Sequence, residues 1–156
     1  MVGNTKPATE RKYGKLLAPY LADPSNLFII SSDFCHWGSR FRYTHYQPPT
    51  GAPQQLRSSS SVPRDHPIHK SIAAVDHESI DAVETGKHDA FLEQVERTGN
   101  TVCGRHPIGV IMAAVEACES LGEGKGKFKF VRYERSSLVE SVKDSSVSYC
   151  SAFAVL

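Results

Sequence analysis

Side chains that could carry out chemistry are concentrated in two short segments. The first contains Asp33 and His36, which follow the unbroken apolar run Leu27–Ile30. Such a run between turn signals predicts a strand buried on both faces, and open α/β sheets bind ligands beyond the carboxyl ends of their strands. Asp33 and His36 could therefore be a general base, an oriented imidazole or metal ligands. The structural alternative is an aspartate that caps a turn and a histidine bonded to backbone.

The second segment is centred on Cys103, just before a predicted helix whose first turn contains Pro107. Amides at a helix N-terminus, with Arg105 and His106 close by, would favour a thiolate. A thiolate is both a nucleophile and a soft metal ligand. Cys103 could instead be a small buried residue. A further alternative is a nucleophilic pair of Cys103 with His36 or His106, although the sequence has no signature of such an enzyme.

Arginines alternate with aromatic residues shortly after His36. Arg40 and Arg42 flank Phe41, and Tyr43 follows. This pattern could stack on nucleic-acid bases, but the net charge of +1 favours a loop packed over the site. Arg40 and Arg42 are also candidates for binding a phosphopeptide or another acidic partner, because guanidinium groups pair with phosphate.

Apolar spacing predicts the elements that must position these residues. We expect a helix over 11–21, a second that begins near 68 and is broken by Gly86, a third that ends at 99–100, and a fourth over 107–121. Strands are predicted over 27–30, 128–133 and 146–155. The fold class is therefore α/β, with a partial central sheet of about three strands flanked by helices. So thin a sheet suggests that part of it is contributed from outside the chain.

Two apolar faces are predicted in addition. The face expected on the first helix consists of Tyr13, Leu16, Leu17, Tyr20 and Leu21. The half-buried face expected on the last strand consists of Val147, Tyr149, Phe153 and Val155.

The chain has the size of one domain, at 156 residues. Residues 47–66 contain four prolines and a run of serines, so we expect a disordered surface insertion there. The 18 basic and 17 acidic side chains give no reason to expect nucleic acid as a partner. No apolar run is long enough for a membrane span. The absence of a secretory signal and of a C-x-x-C pair predicts reduced thiols and a cytoplasmic location.

Several longer blocks resemble the Memo family, which is named as a mediator of receptor-kinase-driven cell motility. They keep the family's order and, outside 47–66, nearly its spacing. The blocks are LADPSNLF at 21–28, SSDFCHWG at 31–38, RFRY at 40–43, CGRHPIGV at 103–110 and DSSVSY at 144–149.

The resemblance implies a fold similar to class III extradiol dioxygenases, which are non-haem iron enzymes. It also implies an association with iron or copper, with redox chemistry and with phosphotyrosine peptides. In the family, two histidines of the N-terminal half and one cysteine of the C-terminal half build the metal pocket. Cys103 matches that cysteine, and Asp33 and His36 match residues that line the pocket. Arg105 and His106 are expected to line it too.

The chain departs from the family pattern because the N-terminal half, with both histidine motifs, has no counterpart in it. We therefore expect a single partial Memo-like domain over 1–156 that would hold iron or copper only weakly. The absent half should cover Leu27–Ile30 and the last strand. Without it, exposed sheet edges predict association with that half or with a second copy of the chain.

Overall fold

The computed structural model describes residues 2–156, which form four helices and five short or medium strands. The helices are α1 (Pro7–Leu21), α2 (Ile68–Glu84), α3 (His88–Thr98) and α4 (Arg105–Ala117). The strands are β1 (His36–Trp37), β2 (His45–Tyr46), β3 (Gln54–Gln55), β4 (Phe128–Arg135) and β5 (Ser146–Ala154). The main sheet has the order β1-β5-β4 and is antiparallel, and β2 pairs with β3 separately. This confirms the mixed fold class and a sheet of about three strands.

The two middle helices form where the sequence predicts them. Ile68, Ile72, Val75, Ile80 and Val83 of α2 are all buried. Gly86, at φ 72°, follows the end of α2, and Gly99, at φ 64°, ends α3 in the left-handed conformation that glycine adopts without strain.

Helix α4 differs from its prediction at both ends. It begins two residues before Pro107, at Arg105, and ends at Ala117 instead of Leu121. Cys118 leaves the helical conformation, with φ −88° and ψ 88°. The loop that follows therefore begins earlier than the glycines at 122, 124 and 126 indicated.

Helix α1 packs on α4 through a face that the apolar spacing did not identify. Its buried residues are Glu10, Gly14, Ala18 and Leu21, whereas Tyr13, Leu16 and Tyr20 are exposed. A Cβ at Gly14 would lie 2.6 Å from the Ala113 carbonyl carbon. The predicted face was right for Leu21 and partly for Leu17, which packs against the same cluster, and wrong for Tyr13, Leu16 and Tyr20. Small residues allow the two helix backbones to approach closely, and this approach turns the aromatic side to solvent.

A buried carboxylate joins α2 to the sheet. Asp76 is fully buried and accepts hydrogen bonds from the Cys35 amide at 3.2 Å, the Asn100 amide group at 3.1 Å and the Tyr133 hydroxyl at 2.9 Å. Burial raises the pKa of Asp76, although these bonds and one from Ser148 act in the opposite direction. The network fixes residues 34–37, which lead into the candidate site, against α2 and β5.

Strand β5 buries the opposite face to the one predicted. Ser146 and Ser148 are buried, whereas Tyr149, Phe153 and Val155 are exposed. The helices pack against the other side of the sheet, where Phe128, Phe130, Tyr133 and Cys150 contact the core. Nothing within residues 2–156 covers the apolar side, so the alternating pattern identified a strand but not its packed face.

The predicted strand Leu27–Ile30 is absent. These residues belong to none of the strands of residues 2–156, and Leu27 and Ile29 are each 85% exposed. A strand buried on both faces needs neighbours to pair with and layers to cover it. In residues 2–156, pairing with β5 extends back from β1 only as far as Phe34, whose amide bonds to the Ser148 carbonyl.

Residues 47–66 carry β3 and one buried side chain, Leu56. The Leu56 amide bonds to the Thr44 carbonyl at 2.9 Å, and Leu56 packs in a core cluster with Trp37 and Tyr46. The Gln47 amide also bonds to the Ser71 hydroxyl at 2.7 Å and the His66 carbonyl accepts from the Tyr46 hydroxyl at 2.8 Å, so the segment is attached to the domain at both ends and at Leu56. Its disorder in solution stays a prediction. None of the helices in residues 2–156 has the length and apolar character that crossing a membrane requires.

We predict that Gly14→Ala destabilises the fold although alanine favours helices. The new methyl group meets the α4 backbone, and overpacking costs about 1–3 kcal/mol, which exceeds the roughly 1 kcal/mol gained in helix propensity. Urea unfolding should show a lower midpoint. Gly122→Ala is the control, because no atom lies within 4 Å of a Cβ there. Equal midpoints for the two variants would contradict the close approach of α1 and α4.

Candidate thiol, carboxylate and imidazole site

Cys103 and Asp33 are bonded to each other twice. The Asp33 amide donates to the Cys103 Sγ at 3.1 Å, and the Cys103 amide donates to the Asp33 carbonyl at 3.2 Å. Gly104 permits this contact because it has no side chain. A Cβ at this position would lie 2.4 Å from the Ser32 Cβ, which is too close for two carbon atoms. The Gly104 amide bonds to the Ser32 hydroxyl at 2.9 Å. The segments around Asp33 and Cys103 are therefore joined by one bond between backbone groups and one from a backbone amide to the Cys103 sulfur. A pocket lined by both side chains stays a prediction.

The His36 ring is oriented by backbone carbonyls. Its Nδ1 lies 3.0 Å from the Phe34 carbonyl and 3.2 Å from the Thr101 carbonyl. Because both partners are acceptors, the neutral ring carries its proton on Nδ1 and presents a lone pair on Nε2. That Nε2 lies 3.7 Å from the Asp33 Oδ2. Thr101 also bonds through its hydroxyl to the His36 amide at 2.7 Å, which fixes the residue's backbone.

Phe41 and Arg40 form a rim beside His36. The Phe41 ring meets the His36 ring edge-on at 5.2 Å, and the Arg40 guanidinium lies 4.4 Å from the Phe41 ring centre. Arg42 is exposed and occupies the left-handed region at φ 57°. Its amide bonds to the Ser39 carbonyl, which closes the single turn of 3-10 helix over Ser39–Phe41.

His106 bonds to a buried carboxylate. Its Nδ1 lies 2.7 Å from the Glu10 Oε1, while Arg105 Nε donates to its Nε2 at 3.3 Å. The other oxygen of Glu10 lies 2.7 Å from the His88 Nε2. Glu10 is 1% exposed, and a Cβ at Gly109 would lie 2.3 Å from its Oε2. Gly109 therefore leaves the space that this carboxylate occupies.

The hydrogen-bond partners of His106 and His88 indicate which nitrogen of each ring donates to Glu10. His106 receives a donor on Nε2, so it carries its proton on Nδ1 and donates it to Glu10. His88 Nδ1 is buried without a hydrogen-bond partner within residues 2–156. A buried ring nitrogen that lacks a partner destabilises the fold less as an acceptor than as an N–H donor. His88 therefore carries its proton on Nε2 and donates it to Glu10. Burial by itself would raise the pKa of Glu10, but bonds from His106, His88 and Thr5 outweigh it and lower that pKa.

The four cysteines, all unpaired, differ in their access to solvent. Cys103 is exposed, Cys35 and Cys118 are buried, and Cys150 is partly buried. Burial, aided by the charge of Asp76, raises the pKa of Cys150 to about 12 and that of Cys35 well above its usual value. At neutral pH both stay protonated thiols. Cys103 is the exposed one of the four and lines a shallow, mainly apolar groove together with Ile29, Ile30 and Pro107.

The donors present fit a soft transition metal in type but not in number. A thiol sulfur, an imidazole nitrogen and a carboxylate are ligands that iron and copper accept. Within residues 2–156, however, no three His, Cys, Asp or Glu side chains converge on a point where a metal ion could be held. The sulfur accepts a backbone N–H instead of contacting an imidazole. Among these residues there is therefore neither a complete metal site nor a Cys–His nucleophile pair.

The structure brings some of the candidate residues together and separates others. Cys103, Asp33 and His36 form one neighbourhood, with Arg40 at its rim. Arg105 and His106 lie together but bond toward Glu10. No direct signal in the sequence marks Glu10, or Thr101, which orients His36, because each acts through a contact with a distant segment. The spacing of Glu10, Gly14 and Ala18 at steps of four could have indicated a face shared by these residues.

The fold and the site define a mixed helix and strand protein with an exposed thiol, a carboxylate and an oriented imidazole at one edge. Residues 1–153 match the family described as Memo-like protein. The chain belongs to the Memo family.

Relatives match along nearly the whole chain. It is 40% identical over 156 residues to Protein MEMO1 of Danio rerio, covering 100% of this chain and 47% of that protein. A MEMO1 family protein of Schizosaccharomyces pombe is 42% identical over 160 residues, covering 99% and 50%. Protein MEMO1 of Homo sapiens is 39% identical over 149 residues, covering 96% and 45%. The chain thus spans about half the length of the curated relatives it matches.

We predict that Glu10 stabilises the fold at neutral pH and that acid removes this contribution. The pKa of Glu10 is lower in the folded chain than in the unfolded chain, so its stabilisation is present above the unfolded pKa of about 4.3 and is lost as pH falls through the folded pKa. Glu10→Gln should cost about 2–4 kcal/mol at pH 7 and progressively less below pH 4.

Chemical denaturation of both proteins from pH 3 to pH 7 measures this difference. Glu119→Gln is the control, because Glu119 is exposed and makes no side-chain hydrogen bond or ion pair within residues 2–156. A difference between wild type and Glu10→Gln that stays constant across this range would contradict an ionised Glu10 in the folded state.

Proposed function

We propose that the chain is a Memo-like, metal-associated redox and signalling protein to which Cys103 contributes the soft ligand of an iron or copper site. The observation that carries this proposal is the exposed Cys103 sulfur, joined through the Asp33 amide to the segment that holds His36. The family assignment adds support. The remaining ligands would come from outside residues 2–156, since these residues offer no converging set of three.

Each residue of the neighbourhood has a distinct part in this proposal. Cys103 supplies the thiolate, and its position is fixed by the two bonds to the Asp33 backbone. His36 can hold or release a proton at Nε2, because its Nδ1 is occupied by two carbonyls. Asp33 can accept that proton or orient a bound water, because its carboxylate lies 3.7 Å from Nε2. When bound, iron or copper would supply one-electron chemistry.

Weak binding is expected from the chain by itself. One thiolate, even with a carboxylate and an imidazole nearby, does not fix coordination geometry, and metal affinity depends on how many ligands the fold holds in place. The four unpaired cysteines suit a reducing compartment, which is the basis for proposing a cytoplasmic location.

We predict that Cys103→Ala removes copper(I) and iron(II) binding from the purified chain. Loss of the exposed sulfur should weaken copper(I) affinity by at least about tenfold, since a thiolate is its preferred ligand. Competition with a colorimetric chelator, followed by metal analysis after desalting, measures affinity and stoichiometry. Cys150→Ala is the matched control, because that thiol is partly buried and stays protonated. Unchanged stoichiometry in Cys103→Ala would overturn the proposal.

A second candidate function is a non-catalytic module that binds phosphopeptides or other acidic partners. The observation that favours it is Arg40, whose guanidinium is exposed and lies over the Phe41 ring beside His36. A guanidinium presented in this way can form two parallel bonds to a phosphate. Arg42, two residues on and also exposed, would add positive charge at the same rim.

For this second function we predict that phosphotyrosine peptide binding survives chelation and weakens when the rim arginines are neutralised. Arg40→Gln should reduce affinity by roughly 10- to 150-fold, the effect of losing a charged hydrogen bond of about 1.5–3 kcal/mol. Fluorescence anisotropy with a labelled phosphotyrosine peptide and its unphosphorylated form measures it. Arg64→Gln, in the exposed 47–66 segment, is the control. Binding that disappears with a chelator would favour the metal-dependent function instead.

A further inference from the structure

A run of serine hydroxyl groups lies beside an arginine in the 47–66 segment. Arg57 precedes the four serines Ser58–Ser61, and Arg64 follows them. The only acidic side chain of the segment is that of Asp65, so the serines lie in basic surroundings. In the whole chain, Ser60 is the single serine or threonine that has an arginine three residues before it.

Two apolar anchors hold the serine run at the protein surface. Leu56 is buried, and Val62 packs against the same core cluster, which contains Trp37 and Tyr46. The serines between these anchors belong to no helix or strand of residues 2–156, and three of the four are exposed. The run is therefore a surface loop that a second protein can reach, while its two ends stay attached to the core.

Ser60 closes a turn with Arg57. The Ser60 amide donates to the Arg57 carbonyl at 2.8 Å, and the Arg57 amide donates to the Ser60 hydroxyl oxygen at 2.9 Å. Arg57 is exposed, and no carboxylate within residues 2–156 forms an ion pair with its guanidinium. The turn thus places an uncommitted positive charge and a backbone N–H donor next to one serine hydroxyl.

Another serine that follows an arginine lacks these features. Ser137 lies two residues after Arg135, but its hydroxyl donates to the Ser145 carbonyl at 2.8 Å. The Arg135 guanidinium donates to the His69 carbonyl, so it is already engaged within the domain. Ser60, in contrast, combines a surface loop with an arginine whose guanidinium is free to meet another molecule.

We propose that Ser60 is phosphorylated by a serine kinase that selects an upstream arginine, and that the phosphate then pairs with Arg57. Kinases discriminate between substrates through the charges around the acceptor, and an acidic kinase cleft would bind the free Arg57 guanidinium. In the transfer, the Ser60 Oγ bonds to the γ-phosphorus of ATP while the bond to the bridging oxygen breaks. ADP leaves, and the hydroxyl proton passes to the catalytic aspartate of the kinase.

A phosphate on Ser60 would tighten the turn that the hydroxyl now closes. It would add about two negative charges beside the Arg57 amide and within reach of the Arg57 guanidinium. A phosphate that meets an arginine in this way forms charge-assisted hydrogen bonds and orders a loop. The stretch from Leu56 to Val62 would then be held more firmly on the core cluster that contains Trp37.

Phosphorylation of the purified full chain tests the site. Calmodulin-dependent protein kinase, which selects an arginine three residues before the acceptor serine, is incubated with the chain and ATP, and mass spectrometry locates the phosphate. Ser60→Ala should lower the initial rate of incorporation at least about tenfold. Arg57→Gln should lower kcat/KM at least about tenfold, because the kinase loses a charge-assisted contact. Ser137→Ala is the matched control and should leave both quantities unchanged.

A second measurement tests the pairing with Arg57 and does not depend on a kinase. Phosphoserine is introduced genetically at position 60, and its titration is followed by phosphorus NMR in the folded chain and in urea. The second pKa of phosphoserine is about 6, and the nearby guanidinium should lower it by roughly half a unit in the folded chain. Arg57→Gln should return this pKa toward the value in urea. Lys15→Gln, on the exposed side of α1, is the control.

Any of four results would overturn the proposal. The kinase transfers no phosphate to the chain, or the phosphate is found on another serine in place of Ser60. Alternatively, Arg57→Gln leaves kcat/KM unchanged, or the pKa of the phosphoserine is the same in the folded chain and in urea. Neither measurement involves a metal or a phosphotyrosine peptide, so its outcome is independent of both proposed functions.

Discussion

A buried negative charge must be surrounded by hydrogen-bond donors, and Glu10 imposes this condition on three helices. The carboxylate belongs to α1, but its donors come from His88 at the start of α3 and His106 in the first turn of α4. None of the three helices can move away without leaving a buried charge short of partners, which is among the costlier defects in a protein interior. Gly109 and Gly14 allow the backbones to come close enough for this arrangement.

The same constraint reaches the candidate site. His106 lies three residues after Cys103, so the donors to Glu10 fix the start of α4, and the start of α4 fixes where the sulfur lies. From the other side, the Asp76 network holds residues 34–37 against α2 through the Cys35 amide. The thiol and the imidazole are thus positioned by two separate buried carboxylates. Neither carboxylate belongs to the site itself, and each is more than twenty residues away in sequence from the segment that it positions.

How far the sequence predicts this structure depends on the range of the interactions involved. The helix α2 and the end of α3 follow from local spacing and from Gly99, because a helix face and a left-handed cap are decided within one or two turns. Most of the α1 face and the packed side of β5 were predicted wrongly, because apolar spacing finds a face without saying what covers it. Tyr13, Leu16, Tyr149 and Phe153 are apolar and exposed. Nothing within residues 2–156 covers them.

For the candidate site, the sequence identified residues but not the contacts between them. Asp33, His36 and Cys103 were found from residue type, from position near an element end and from the family motifs. The contact between Asp33 and Cys103 joins segments 70 residues apart, and only folding reveals that it runs through backbone and sulfur. His106 was expected beside the thiol, yet its ring bonds to Glu10, because a buried carboxylate competes for an N–H donor more strongly than an exposed sulfur does.

The two buried carboxyl groups exchange protons in opposite directions when the chain unfolds. Folding lowers the pKa of Glu10 and raises that of Asp76. When the chain unfolds in mild acid, Glu10 therefore takes up a proton, whereas Asp76 tends to release one. The net proton uptake on unfolding is a difference between these two events. A calorimetric or potentiometric count of protons would consequently come out smaller than the number of buried carboxyl groups suggests.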